Sequence, residues 1–191
     1  MRPEQERALA YLDRKGTQAP IDVVSSAVAS TFEKMEARLA SLSELPTHER
    51  PAPDKWSLIE IVDHLIESHR PAAGQIEAAL RGEDPGEAIP AGLQSAEPRA
   101  MDWAECVSAL EATHAAFLEA LARGRDSDSA SPIPVAMVIR VADPDGSARP
   151  LEWIEPLHWK AYAIAVKVHT LEHLAQIERV VGALSPEAAS S

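Results

Sequence analysis

The chemistry in this chain concentrates on imidazoles. His169 and His173 stand four residues apart in Lys167-Val-His-Thr-Leu-Glu-His-Leu-Ala-Gln-Ile177, so a helix through them puts both rings on one face, with Cβ atoms about 5–6 Å apart. Two imidazoles at that spacing can reach one cation. A divalent ion of the zinc or nickel type asks for at least a third protein donor, and an open fourth position separates a working site from a structural one. His64, on an earlier amphipathic segment, is the best third donor on offer. Three neutral imidazoles leave such an ion its full positive charge, which lowers the pKa of a bound water or thiol and polarises a substrate carbonyl. Only unprotonated rings bind, so metal affinity is expected to fall as pH drops through the ordinary histidine range near about 6.5.

The remaining polar candidates are weaker. Val166, His169, His173, Ile177 and Val180 form one apolar, inward stripe, and buried imidazoles there need partners for both nitrogens, which a metal on one side and a carbonyl or carboxylate on the other would supply. The plainer alternative is a pair of core or solvated histidines bonded to backbone. His114 continues the Val107, Leu110, Phe117 stripe, as a core histidine or one lining the cavity. His69 falls about 140° around the helix from His64, which argues against a shared ion. His158 is three turns before His169, and His48 lies in a connector. Asp63, Glu67 and Glu172 could orient the ligands or act as a base, their simpler role being to solvate helix faces; Tyr162 joins His114, Glu67 and Glu172 as a residue near the cavity.

Glu111-Ala-Thr-His114 and Glu155-Pro-Leu-His158 match half of a di-iron pattern, which needs two further inward glutamates. Glu60 is better used as a helix cap, and Glu155 is expected at a helix start. A Gly-rich phosphate loop and a Gly-x-Ser-x-Gly elbow are both missing, and Cys106 has no activating neighbour, so nucleophilic catalysis by a side chain is disfavoured and no catalytic residue is assigned.

The elements that must position these residues are mostly helical. The 191 residues carry a formal net charge of -12, which repels phosphate backbones and anionic lipid heads. With one cysteine, no apolar leader and no bilayer-length segment, a cytoplasmic protein that binds neither nucleic acid nor membrane is expected. One domain is expected over 1–191, with a leading helical segment in 1–18 that stops at Gly16 and a disordered tail over 185–191. Pro20 opens a long helix to about Leu45. Ser57-Leu-Ile-Glu60 is a capping box, with Trp56 and Ile61 as a hydrophobic staple, for a second helix running to about Arg81 with Pro71 as a kink point. The Gly- and Pro-rich stretch from Gly82 to Pro98 reads as a long surface connection. Asp102 and Glu105 cap a third helix ending near Gly124. Val135–Val141, the turn Asp143-Pro-Asp-Gly146 and Leu151–Ile154 predict a short β-hairpin. Pro156 then suits the first turn of a final helix to about Ala183, with Gly182 and Pro186 as stops. Four long helices plus a hairpin make a mainly α bundle.

At two segments this pattern resembles the DinB-like superfamily of metal-binding four-helix bundles, a group that includes YfiT-like hydrolases and thiol S-transferases. Trp56-Ser-Leu-Ile-Glu-Ile-Val-Asp-His64 is similar to the family's tryptophan and helix-two histidine, and His169-Thr-Leu-Glu-His-Leu-Ala-Gln-Ile177 to its closing His-x-x-x-His-x-x-Gln-Ile segment. The likeness extends from about Pro20 to Leu184, while the leading segment and the 82–98 connection depart from the pattern.

What the resemblance implies is one divalent metal, zinc or nickel with iron next, held by His64, His169 and His173, in a protein that forms a homodimer and acts on a small molecule. Some relatives use bacillithiol, mycothiol or glutathione as a thiol cosubstrate, activated on the metal for transfer to an electrophile. A metal-dependent thiol transferase or hydrolase is therefore expected; the alternative is a noncatalytic, stress-related protein whose ion is structural.

Overall fold

The computed structural model describes residues 2–142 and 147–184. The expected turn at 143–146, the stop at Pro186 and the tail over 185–191 lie outside the described residues. Helix α1 (Pro3–Leu12) leads through a π-helical turn at Asp13–Thr17 to α2 (Ile21–Ala40), followed by α3 (Leu58–Leu80) and α4 (Trp103–Ala122). An antiparallel hairpin, β1 (Ile133–Ala142) with β2 (Ala148–Leu157), precedes α5 (Trp159–Leu184).

Four helices form the bundle, and their order in space is not their order in the chain. Helix α2 packs on α5 and α4, while α3 packs on α4 and α5, so the sequential pairs α2/α3 and α4/α5 lie across the diagonals. The connector 41–57 spans one diagonal and the hairpin segment the other. This exchange makes α3 and α5 neighbours, the condition for His64 to meet the histidines of the last helix.

Local signals account for the helix starts. Ser57 Oγ accepts from the Glu60 amide, and the Glu60 carboxylate accepts from Ser57 N–H at 2.8 Å, the reciprocal capping box. Asp102 and Glu105 repeat it at α4. Glu60 is buried but paired with Arg50, whose hydrogen bonds, together with those of Ser57, hold the carboxyl down to about 2.

Several boundaries differ from the sequence reading, each for a tertiary reason. Helix α2 ends at Ala40 rather than Leu45, with Ser41 as its C-cap. Gly16 does not stop a helix: it sits buried inside the π-helical turn, against the backbone of Ala161, where a Cβ would lie 2.4 Å from the Ala161 Cα. Pro71 stays inside a continuous α3. The hairpin is longer than expected, and Pro156, read as the first turn of the final helix, belongs to β2 opposite Pro134. Glu155 is likewise in the strand, accepting from the Trp153 indole at 2.9 Å. The last helix begins three residues later, where the His158 ring accepts from the Lys160 amide at 3.2 Å.

Two apolar clusters fill the bundle. One gathers Phe32, Ile76, Phe117, Trp159 and Ile164; the other gathers Met35, Leu39, Leu65, Leu110 and Ile177. Along α3, α4 and α5 the switch between clusters falls at the same level, and His69, His114, His169 and His173 occupy it, with Glu36 at the matching point of α2. A polar layer therefore crosses the bundle between two apolar halves.

Candidate metal centre

His64 projects from α3, and His169 and His173 from α5, into the seam between those helices. Nε2 of His169 lies 3.0 Å from Nε2 of His64 and 3.0 Å from Nε2 of His173. Among the described residues this trio is the group whose ligand atoms all lie close enough together to share an ion. Trp56, just before the α3 cap, walls the group, with its ring 5.2 Å from that of His64 and stacked at 12° to that of His173.

The outer nitrogens decide what the inner ones can do. His64 Nδ1–H donates to the Leu93 carbonyl at 2.6 Å, and His173 Nδ1–H donates to Gln176 Oε1 at 2.8 Å. A neutral ring carries one hydrogen, so both rings present bare Nε2 lone pairs toward Nε2 of His169. A proton on His169 Nε2 serves one of those acceptors well at most; a cation takes all three. A tetrahedral ion with nitrogen bonds of about 2.0–2.1 Å separates its donors by about 3.3 Å, close to the observed spacing. The donor set thus fits a metal ion.

Burial keeps the rings in the form that binds. Desolvation lowers the pKa of His64, lowers that of His173 to about 4, and pushes His169 well below the ordinary histidine value, with the neighbouring histidines adding to the effect on His169 and His173. Proton competition for the site therefore sets in below the ordinary histidine range expected from the residue type alone.

The other candidates are placed as follows. His114 is buried, stacked on Phe32 with centroids 3.7 Å apart, and donates from Nδ1 to Glu36 at 2.7 Å. Although a carboxylate sits that close, burial prevails and lowers its pKa to about 3, so the contact is a neutral N–H to a carboxylate. Tyr162 is buried and donates to Gln75 at 2.7 Å, with its bonding directed away from the histidines. Glu67 pairs with Arg70 on the surface, and Asp63 accepts from the Ser95 amide at 2.9 Å. Glu172 is exposed, yet desolvation by nearby atoms raises its carboxyl. His48 is exposed, with Nε2 donating to the Met101 carbonyl at 3.1 Å, and His158 serves the start of α5. Glu111, needed for a di-iron reading, is exposed on α4. Cys106 is buried, and desolvation with Asp63 and Asp102 pushes its thiol up to about 12, a poor nucleophile.

Three contributors had no such role in the sequence reading. The 82–98 segment, read as a surface connection, folds back as a strap: Leu93 holds His64, Gln94 donates to the Glu60 carbonyl, and Ser95 bonds Asp63. No local pattern marks a backbone carbonyl for that role. Gln176, one helical turn after His173, had a signal in its spacing. His69 lies outside the converging trio, but its Nε2 lies 3.2 Å from Nδ1 of His169. Two surface clefts, one of about 490 Å³ beside Gln75 and Leu93, are lined by none of the three histidines.

A four-helix bundle with its second and last helices joined by a converging histidine trio defines the class. The chain belongs to the DinB superfamily, whose family model matches residues 27–177. Its fold is similar to that of YfiT from Bacillus subtilis, described as a probable metal-dependent hydrolase with an unusual four-helix bundle topology, at 18% identity and a TM-score of 0.56, covering 84% of this chain and 86% of that one. No curated protein sequence matches. None of the described helices is long and apolar enough to cross a membrane.

Proposed function

We propose that His64, His169 and His173 hold one divalent metal ion and that the protein is a metal-dependent enzyme, using a water or a low-molecular-weight thiol as the nucleophile against a small electrophile. The observation that carries this reading is the convergence of three Nε2 lone pairs, two of them fixed by carbonyl acceptors on the opposite side of their rings. An ion held by three neutral imidazoles lowers the pKa of a coordinated water or thiol and polarises a carbonyl.

The chain's own residues do the rest. Leu93 and Gln176 lock the rings of His64 and His173 in the binding tautomer, so little reorganisation is needed. Trp56 covers one side of the trio and keeps bulk water from it. Glu172 follows one helical turn after His169 in the chain, and its carboxyl is raised by desolvation, which suits the role of taking the nucleophile's proton. The description of YfiT as a probable metal-dependent hydrolase supports hydrolysis; the family's thiol-using members support transfer.

The test is the metal content of protein purified without a metal-affinity tag, by elemental mass spectrometry, for the wild type and His64→Ala. About one equivalent of zinc, nickel or iron in the wild type and none in the variant is expected, followed by turnover in hydrolase and thiol-transfer screens. No metal in either protein overturns the reading.

A further inference from the structure

Of the three converging histidines, His169 is the one whose outer nitrogen meets another imidazole. Behind His64 and His173 stand the carbonyl oxygens of Leu93 and Gln176, which only accept. Behind His169 stands His69, with its Nε2 3.2 Å from Nδ1 of His169. His64 and His69 are five residues apart on α3, about 7.5 Å along the axis. They hold the His169 ring between them, one at its Nε2 and the other at its Nδ1.

His69 is 1% exposed, and burial pushes it well below the ordinary histidine value, so its ring is neutral and carries one hydrogen. Its Nδ1 is buried with no hydrogen-bond partner. No hydrogen bond behind His69 therefore dictates which of its nitrogens bears that hydrogen, and the contact with His169 decides it.

Two arrangements satisfy that contact. In the first, His169 Nδ1–H donates to a bare His69 Nε2; Nε2 of His169 is then bare as well, and three lone pairs converge as a cation requires. In the second, His69 Nε2–H donates to a bare His169 Nδ1. The hydrogen of His169 then sits on its Nε2, within 3.0 Å of Nε2 of both His64 and His173, and occupies the direction an ion needs. A carbonyl behind His169 would permit the first arrangement alone. An imidazole, which can accept or donate at the same nitrogen, permits both.

We infer that His69 is the positioning residue for His169: with the metal bound, His69 Nε2 accepts from His169 Nδ1–H, and without it the same bond runs in the opposite sense. The inference rests on the metal reading above. Each ring carries one hydrogen in either arrangement, on Nδ1 with metal and on Nε2 without, so the exchange neither releases nor consumes a proton. In the metal-free form the trio is held by a hydrogen bond instead of facing three unpaired acceptors.

The experiment uses the full chain labelled with ¹⁵N-histidine. Long-range proton–nitrogen spectra read the tautomer of each ring with and without zinc, and chelator competition reads zinc affinity. His169 and His69 are both expected to carry hydrogen on Nδ1 in the zinc-loaded wild type and on Nε2 in the metal-free one. His69→Phe keeps an aromatic ring beside Phe32 but removes the acceptor, and should bind zinc about 10–100-fold more weakly, the size of effect found for partners of metal-bound imidazoles. His69→Gln, whose amide can accept or donate, should recover most of that loss. The wild-type spectra test the bond even where a variant does not fold. Zinc-loaded His69 with its hydrogen on Nε2, the same tautomers with and without zinc, wild-type zinc affinity in His69→Phe, or equal losses in the two variants overturns the inference and leaves the metal site standing. A wild type that takes up no zinc at any concentration overturns this inference and the metal reading together.

Discussion

Nε2 of His64 and Nε2 of His169, 105 positions apart in the chain, face each other at 3.0 Å across the seam between α3 and α5. The Leu93 carbonyl behind His64 obliges that ring to present a lone pair, so the contact asks for a proton or a cation between the two nitrogens. The chemistry proposed for this member of the DinB superfamily grows from that relationship.

Replacing His169 separates a catalytic ion from a structural one. In His169→Ala the bound metal should be lost; if the ion is catalytic, turnover disappears while the melting temperature of the variant stays within a few degrees of metal-free wild type. A structural ion, whose binding is itself folding energy, would make metal removal from the wild type collapse the melting temperature. Thermal melts of loaded, stripped and variant protein decide between them.

Gln176→Leu removes the acceptor behind His173 without touching a ligand. The ring is then free to turn and to adopt the other tautomer, and zinc affinity should fall about 10–100-fold. Chelator competition measures it; unchanged affinity would show that Gln176 does not orient the ring.

Acid should destabilise the metal-free protein earlier than its carboxylates predict. Unfolded histidines titrate near about 6.5. In the folded chain burial lowers His64, takes His173 to about 4 and takes His114 to about 3. The unfolded state therefore binds these protons first, so the stability is fully present above the unfolded value and is lost progressively from there down toward pH 3. A falling melting temperature between pH 7 and pH 4.5 is expected, and a flat one would contradict the burial of these rings. Zinc should oppose the fall.

Gly16→Ala tests the docking of the leading segment on the last helix. In an exposed helical position, glycine to alanine gains about 1 kcal/mol. Here the added carbon meets the Ala161 backbone, which has no flexible end to yield, so a net loss of about 1–3 kcal/mol is expected in denaturant unfolding. A gain in stability would mean that the segment does not press on α5 in solution.

Much of the fold was legible because it is written locally. The capping boxes at Ser57/Glu60 and Asp102/Glu105 bond within three residues, and the four long helices announce themselves through apolar stripes of period near 3.6. Pro156 misled for the same reason: a proline suits a first helical turn equally well as an edge position of a two-stranded ribbon, and the pairing with Pro134 chose the strand.

By itself the sequence determined the helices and the histidines that share a face, because a helix fixes the angle between residues a few positions apart. It also supplied Trp56, His64, His169 and His173 as a set, through spacing and likeness to a family. Only the tertiary structure decided that α3 and α5 lie side by side while the pairs α2/α3 and α4/α5 sit on the diagonals, that the 82–98 strap delivers the Leu93 carbonyl to His64, that His69 meets His169, and that His114 meets Glu36. These contacts join residues dozens of positions apart through backbone atoms and ring tautomers. Neither leaves a mark in local residue order; both arise when two apolar clusters close around a polar layer that must satisfy its own hydrogen bonds.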